Sequence, residues 1–174
     1  MREAAEALFN TEALLQVDGH LVEELKRRAH RSPTRRFRLC LHRSSEELVQ
    51  EMIVVHCREN YSRPHKHSVP LTYIVLEGAL RVFLFDDAGV VTQRIDLVAF
   101  GKGRAFTLHI DAGTWYMPVC GTPQVVFYEA KRGPFRRDSA NLWAPWAPAE
   151  DDHEGIASYR RALGIIHADS PGRS

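Results

Sequence analysis

The sequence predicts an all-β sandwich or barrel with one helix before it and one after it. Three observations carry this. From Arg36 to Lys131 the chain runs through short segments rich in Val, Ile, Phe and Tyr, turn signals such as Asp86-Asp87-Ala88-Gly89 and Asp111-Ala112-Gly113-Thr114 separate them, and no helical period intervenes. At 174 residues the chain can bury one substantial core but not two.

The elements follow in order. After a short lead-in, Asp18 can cap a helix whose residues Leu21, Leu25 and Ala29, with Val22 beside them, form one apolar stripe. Lys26, Arg27, Arg28 and His30 crowd its last turn, where cations complement the helix dipole, and Ser32 and Pro33 end it. The predicted strands are Phe37 to His42, Val49 to Cys57, Thr72 to Leu76, Leu80 to Phe85, Val90 to Leu97, Arg104 to Ile110, Trp115 to Val119 and Gln124 to Ala130. Gly133 and Pro134 close this region. The stretch from Trp143 to Pro148 is too rich in proline for a strand or helix interior and is expected to lie against the barrel through its two indoles. A helix over His153 to Leu163 follows, and the polar tail Ala168 to Ser174 is expected to be disordered. The expected organisation is therefore an N-terminal extension and helix over 1–35, a barrel over 36–135, and a Trp/Pro-rich segment, helix and tail over 136–174.

Composition excludes several function classes. Lys and Arg total 23 against 22 Asp and Glu, a formal net charge of +1, so no global field recruits nucleic acid or an acidic membrane surface. The stretch MREAAEALFNTEALL has acidic residues where a signal peptide needs basic and then apolar ones, and no apolar run reaches membrane-spanning length, so the cytoplasm is the expected location. Cys40, Cys57 and Cys120 are odd in number, widely spaced and free of any CxxC, which points to free buried thiols.

The chemistry concentrates in "RPHKHSVPLTYIVLEG", residues 63–78. On a strand, residues i and i+2 face the same way, so His65 and His67 can turn their imidazoles to one ion. A tightly held divalent cation wants at least three protein ligands, commonly with a carboxylate to offset its charge.

At these residues the chain resembles the cupins, whose first motif is an HxH pair followed by a carboxylate and a strand-closing glycine, and whose second is a PxGxxH segment. His65, His67 and Gly78 match the first motif and Gly113 the second. Leu71, with Thr72 as its neighbour, occupies the carboxylate position, and Tyr116 that of the second-motif histidine. From about residue 9 to residue 163 the chain is similar to the WbuC-type cupins, cupin-fold metalloproteins, through "SPTRRFRLCLH", "LVQEM", "YSRPHKH", "VLEG" with "FLFDDAGVV", "DAGTWY", "YEAKRGPF" and "WAPWAPAEDD". The resemblance implies a jelly-roll barrel with a pocket at one end, a divalent transition metal (zinc, iron, nickel or manganese), homodimeric pairing with the N-terminal segment available for exchange, and a setting in surface-polysaccharide or sugar metabolism. It implies no particular reaction.

Each candidate residue has a functional and a plain reading. His65 and His67 either ligate metal or persist as a packed pair. Tyr116 is the candidate catalytic residue and a possible third ligand, since a metal can ionise a phenol whose ordinary pKa is about 10; alternatively its ring fills vacated space. Glu129 is the other candidate third ligand if it faces inward with Val125 and Phe127, a position that demands a partner for its buried charge. His109 alternates with Phe106, Leu108 and Ile110 and is discounted. Tyr73, Arg38, His42 and Gln50 are candidate ligand-binding residues: an arginine fork to grip a carboxylate or phosphate, and a buried amide to orient a ligand. Arg35 and Arg36 read as a solvated face. On Val49 to Cys57 the sequence permits either Gln50, Met52, Val54 and His56 or Ile53 and Val55 to face inward.

Three functions fit these residues. The first is a metal-dependent small-molecule enzyme using His65, His67 and Tyr116 or Glu129. The second is a metal-free isomerase or epimerase with a histidine base near pKa 6.5 and a tyrosine acid. The third is a binding cupin that has lost its metal and keeps a pocket for a sugar or small acid.

Overall fold

In the computed structural model, residues 1–136 and 141–165 are described; the tail Ala168 to Ser174 lies outside them. The elements run β1 (Arg2–Ala4), β2 (Ala7–Phe9), α1 (Gly19–Arg31), β3 (Arg36–Cys40), β4 (Val49–Cys57), β5 (His65–His67), β6 (Leu71–Glu77), β7 (Ala79–Phe85), β8 (Val91–Val98), β9 (Thr107–Ile110), β10 (Trp115–Cys120), β11 (Gln124–Arg132), β12 (Asn141–Trp143) and α2 (His153–Ala162). A seven-stranded sheet, in the order β1-β2-β3-β4-β11-β6-β9, faces a five-stranded sheet, β12-β5-β10-β7-β8. From β4 to β7, and again from β8 to β11, each strand crosses to the other sheet, and every pairing except the parallel β2–β3 is antiparallel. This is a jelly-roll sandwich, the architecture expected from the sequence.

Each sheet is covered on both faces over part of its area. Between them, Val54, Tyr73, Val75, Val82, Leu97, Tyr116 and Phe127 form the central core. Behind the larger sheet, α1 seals a second core with Leu25 and Ala29 against Phe37, Leu39, Ile53 and Val55. Behind the smaller sheet, Ala144, Ala147 and Leu163 close over Phe83, Phe85, Trp115 and Met117. The Asp18 carboxylate caps α1 by accepting the Leu21 N–H at 2.9 Å, and Ser32 closes it.

Several boundaries differ from the sequence reading for physical reasons. Residues 2–9, read as a lead-in, form two strands, and β2 pairs with β3. The strand predicted from Arg104 begins only at Thr107, while the Ala105 and Phe106 carbonyls accept single bonds from Val98 and Val75. The Trp143–Pro148 stretch does lie on the barrel, but its indoles diverge. Trp146 packs on Phe85 and Trp115, whereas Trp143 ends β12 and stacks at 5.2 Å from His65. Cys40 and Cys57 are buried and free, while Cys120 is only half-buried.

Candidate functional site

The two sheets flank an open cavity of about 970 Å³. Its larger-sheet wall comes from one face of three neighbouring strands. Arg36, Arg38 and Cys40 of β3, Gln50, Met52, Val54 and His56 of β4, and Phe127, Glu129 and Lys131 of β11 alternate inward. The opposite wall is His65, His67, Tyr116, Asn141 and Trp143. Pairing sets this side too, since Tyr116 and Trp143 flank His65 on either hand and Asn141 flanks His67.

The His65 and His67 rings stand perpendicular, with centroids 5.1 Å apart, and the Tyr116 ring lies 4.5 Å from the first and 5.9 Å from the second. His65 Nδ1 sits 2.8 Å from the Arg63 carbonyl oxygen, an acceptor only, so Nδ1 carries the proton and Nε2 keeps its lone pair. Burial pushes His65 down to about 3, with the charge of His67 adding to the effect. Tyr73 and Tyr116 are both buried. Burial raises each phenol well above its ordinary value, and for both the Glu129 carboxylate adds to the rise. Neither phenol is inclined to ionise.

Glu129 and Lys131 form an ion pair at 3.0 Å with side chains only 12% and 11% exposed. Burial would raise the Glu129 carboxyl, but Lys131, then His67 and Arg38, outweigh it and hold the group below the ordinary value. Glu129 is thus the buried, paired inward carboxylate that the alternation required.

This donor set does not fit a tightly held divalent metal. Among the described residues no group of three or more His, Cys, Asp or Glu side chains converges on one point. The carboxylate position holds Leu71, packed in the core. Tyr116, the alternative anionic ligand, is a neutral phenol in this site, and Glu129 is already paired with Lys131.

The remaining candidates separate. Gln50 lines the cavity, but its Nε2 donates to carbonyl oxygens of Ser44, Ser45 and Glu47, the closest at 2.8 Å, so that end of the amide holds a loop. His42 is buried with Nδ1 against the Glu51 backbone at 3.0–3.1 Å, and its ring meets Phe9 edge-on. Arg36 is paired with Glu6 at 3.2 Å. Arg38 is exposed to the cavity and, among the described residues, has no carboxylate at ion-pair distance. His109 is on the outer surface, bonded to Thr72.

The structure adds one residue that sequence reasoning passed over. His56 is 6% exposed, its Nδ1 has no partner among the described residues, and its ring meets Phe127 edge-on at 5.1 Å. Its parity with Met52 and Val54 was the only available signal. Ile53 and Val55 point into the core under α1, so both parities of β4 are buried and periodicity could not choose.

Among curated proteins none matches this chain. A family profile described as a domain of unknown function, DUF6016, matches residues 17–97, from the start of α1 to the end of β8. A Shewanella oneidensis protein of known crystal structure is similar over 75% of this chain and 83% of its own, with 12% identity and a TM-score of 0.52. A cupin superfamily protein from Desulfitobacterium hafniense matches 56% of this chain and 76% of its own, with 15% identity and a TM-score of 0.45. An RmlC-like cupin family protein with a double-stranded β-helix fold, from Methanocaldococcus jannaschii, matches 49% and 71%, with 14% identity and a TM-score of 0.40. At these identities the likeness concerns the fold. Among the described residues no helix is long and apolar enough to cross a membrane.

Proposed function

We propose that the protein is a WbuC-type cupin whose barrel binds a small organic acid without a metal. One observation carries the reading. Among the described residues, every charged side chain on the cavity wall except Arg38 has an opposite charge at ion-pair distance: Glu129 with Lys131, and Arg36 with Glu6. Arg38 therefore leaves the wall with an excess positive charge and a planar fork suited to a carboxylate. The volume, about 970 Å³, suits a small-molecule ligand.

Titration calorimetry with the carboxylates from acetate to hexanoate, and with their uncharged amides, tests this. Carboxylates bind, amides do not, and Arg38→Met abolishes the difference; equal binding of acid and amide would contradict the reading.

A second reading is favoured by the tautomer of His65. Its ring, with the Nε2 lone pair free of a proton, lies 4.5 Å from the ring of the neutral Tyr116 phenol, the base and acid types that an isomerase or epimerase acting next to a carboxylate would use. Burial has made His65 a weaker base than an ordinary imidazole, which places this reading second. It predicts solvent deuterium incorporation next to the carboxylate, insensitive to chelators and absent in Tyr116→Phe. The sequence resemblance adds a role in surface-polysaccharide or sugar metabolism and a homodimer, and the acidic N-terminal stretch adds a cytoplasmic location. Light scattering tests the last, with twice the 19.8 kDa chain mass expected and the single mass contradicting it.

A further inference from the structure

Tyr116, His65 and Trp143 stand side by side in one register row of the smaller sheet, on β10, β5 and β12. Their ring centroids follow one another at 4.5 Å and 5.2 Å, so this wall of the cavity carries a continuous aromatic surface three strands wide. Tyr116 is buried, His65 is half-buried and Trp143 is 41% exposed, so the row grows more accessible towards β12. Packing within the sheet accounts for Tyr116. It does not account for an indole that ends the row, lines the cavity and keeps that much free surface.

The larger-sheet wall is of another kind. Arg38 sits in a register row between Ala7 and Val54, with Phe127 beyond Val54. One exposed guanidinium thus stands among small and apolar side chains, across the cavity from a wall of rings.

From this juxtaposition we infer that the acid bound in the cavity is aromatic: a flat ring lies against Trp143 and His65, and its carboxylate, on a short linker, meets Arg38. The inference rests on the organic-acid reading and specifies the body of the acid.

Aromatic rings associate at centroid distances of about 4.5–7 Å, the spacing the row already has, so a ligand ring extends the series by one member. Facing sheets stand about 10 Å apart, and an arginine side chain crosses much of that gap, which brings ring and carboxylate within the length of one small molecule. A saturated chain would gain apolar contact with Ala7 and Val54 but nothing from the quadrupole of the indole.

Titration calorimetry on the full chain compares three acids of equal carbon number: 3-phenylpropanoate, 3-cyclohexylpropanoate and nonanoate. Apolar burial alone favours the two saturated acids. The aromatic wall predicts the opposite order, with 3-phenylpropanoate about three-fold or more tighter than either. Trp143→Phe should keep most of that preference and Trp143→Leu should lose it; the residue is on an edge strand and well exposed, so both variants are expected to fold. Among the described residues Trp143 is the one tryptophan on the cavity, Trp115 and Trp146 packing together behind the smaller sheet. 3-Phenylpropanoate should therefore change the indole emission of the wild type and not that of Trp143→Phe. If a saturated acid binds tightest and Arg38→Met weakens all three, the ring inference fails while the acid reading stands. A phenyl preference that survives in Trp143→Leu also overturns the inference. If 3-phenylpropanamide binds as tightly as 3-phenylpropanoate and Arg38→Met changes nothing, the acid reading fails and this inference with it. Binding of no acid would overturn both.

Discussion

Arg38 and Lys131 carry the same charge but answer differently to removal. Arg38→Met should cost little stability, because the side chain is exposed and, among the described residues, in no ion pair, yet weaken a bound carboxylate by about 1.5–3 kcal/mol, roughly ten- to a hundred-fold. Lys131→Met strands the buried Glu129 charge and should destabilise the fold by about 3–5 kcal/mol in urea denaturation, with Glu129→Gln in the same chain restoring part of the loss. His56 sets a pH dependence. Burial, then the neighbouring Arg36 charge, lowers it to about 3, against about 6.5 in the unfolded chain, so the folded state holds the neutral ring. The unfolded state binds the extra proton, so His56 favours the fold above about pH 6.5, and stability falls as pH drops from there towards 3, by a few kcal/mol at most. His56→Leu should reduce that slope in denaturation curves at pH 7, 6 and 5, with the like contribution of His65 remaining; an unchanged slope would contradict the assignment. At this scale the sequence showed which side chains could meet. The i, i+2 spacing of His65 and His67 and the parity of Glu129 with Phe127 were legible, whereas the lack of a partner at Arg38 and the orphaned nitrogen of His56 exist only once β3, β4 and β11 are aligned.

The strands and helices were legible where they are long. Val49–Cys57 forms one strand with the ends read from sequence, and α1 begins at the Asp18 cap and buries the Leu25 and Ala29 stripe. The three-residue strands β1, β2 and β12 are too short to display a period, and they form because an edge is available to pair with. Gly78 shows how a turn is enforced. Its φ is +79°, and a Cβ there would lie 2.6 Å from the Gln124 carbonyl oxygen, so Gly78→Ala should destabilise the fold, in urea denaturation, by more than the about 1 kcal/mol that an open left-handed position costs. Leu25→Ala, at a fully buried site under the larger sheet, should cost about 2–5 kcal/mol.

The whole molecule is a sandwich insulated on both sides, by α1 behind one sheet and by the Trp146 segment with α2 behind the other. Alternation and turn chemistry announced the sandwich, but they could not show that strands with two buried faces leave no polar face to fix their orientation. The same limit hid the character of the site. The HxH pair announces a metal centre, and only the assembled walls show Glu129 held by Lys131 and Tyr116 placed where ionisation is disfavoured. The measurement that bears most directly on this account is the metal content of untagged protein, as purified and after incubation with zinc, iron, nickel and manganese, beside a His65→Ala, His67→Ala double variant. The account predicts well below one equivalent in every sample and no difference between the two proteins. About one equivalent of a transition metal, lost in the double variant, would contradict it.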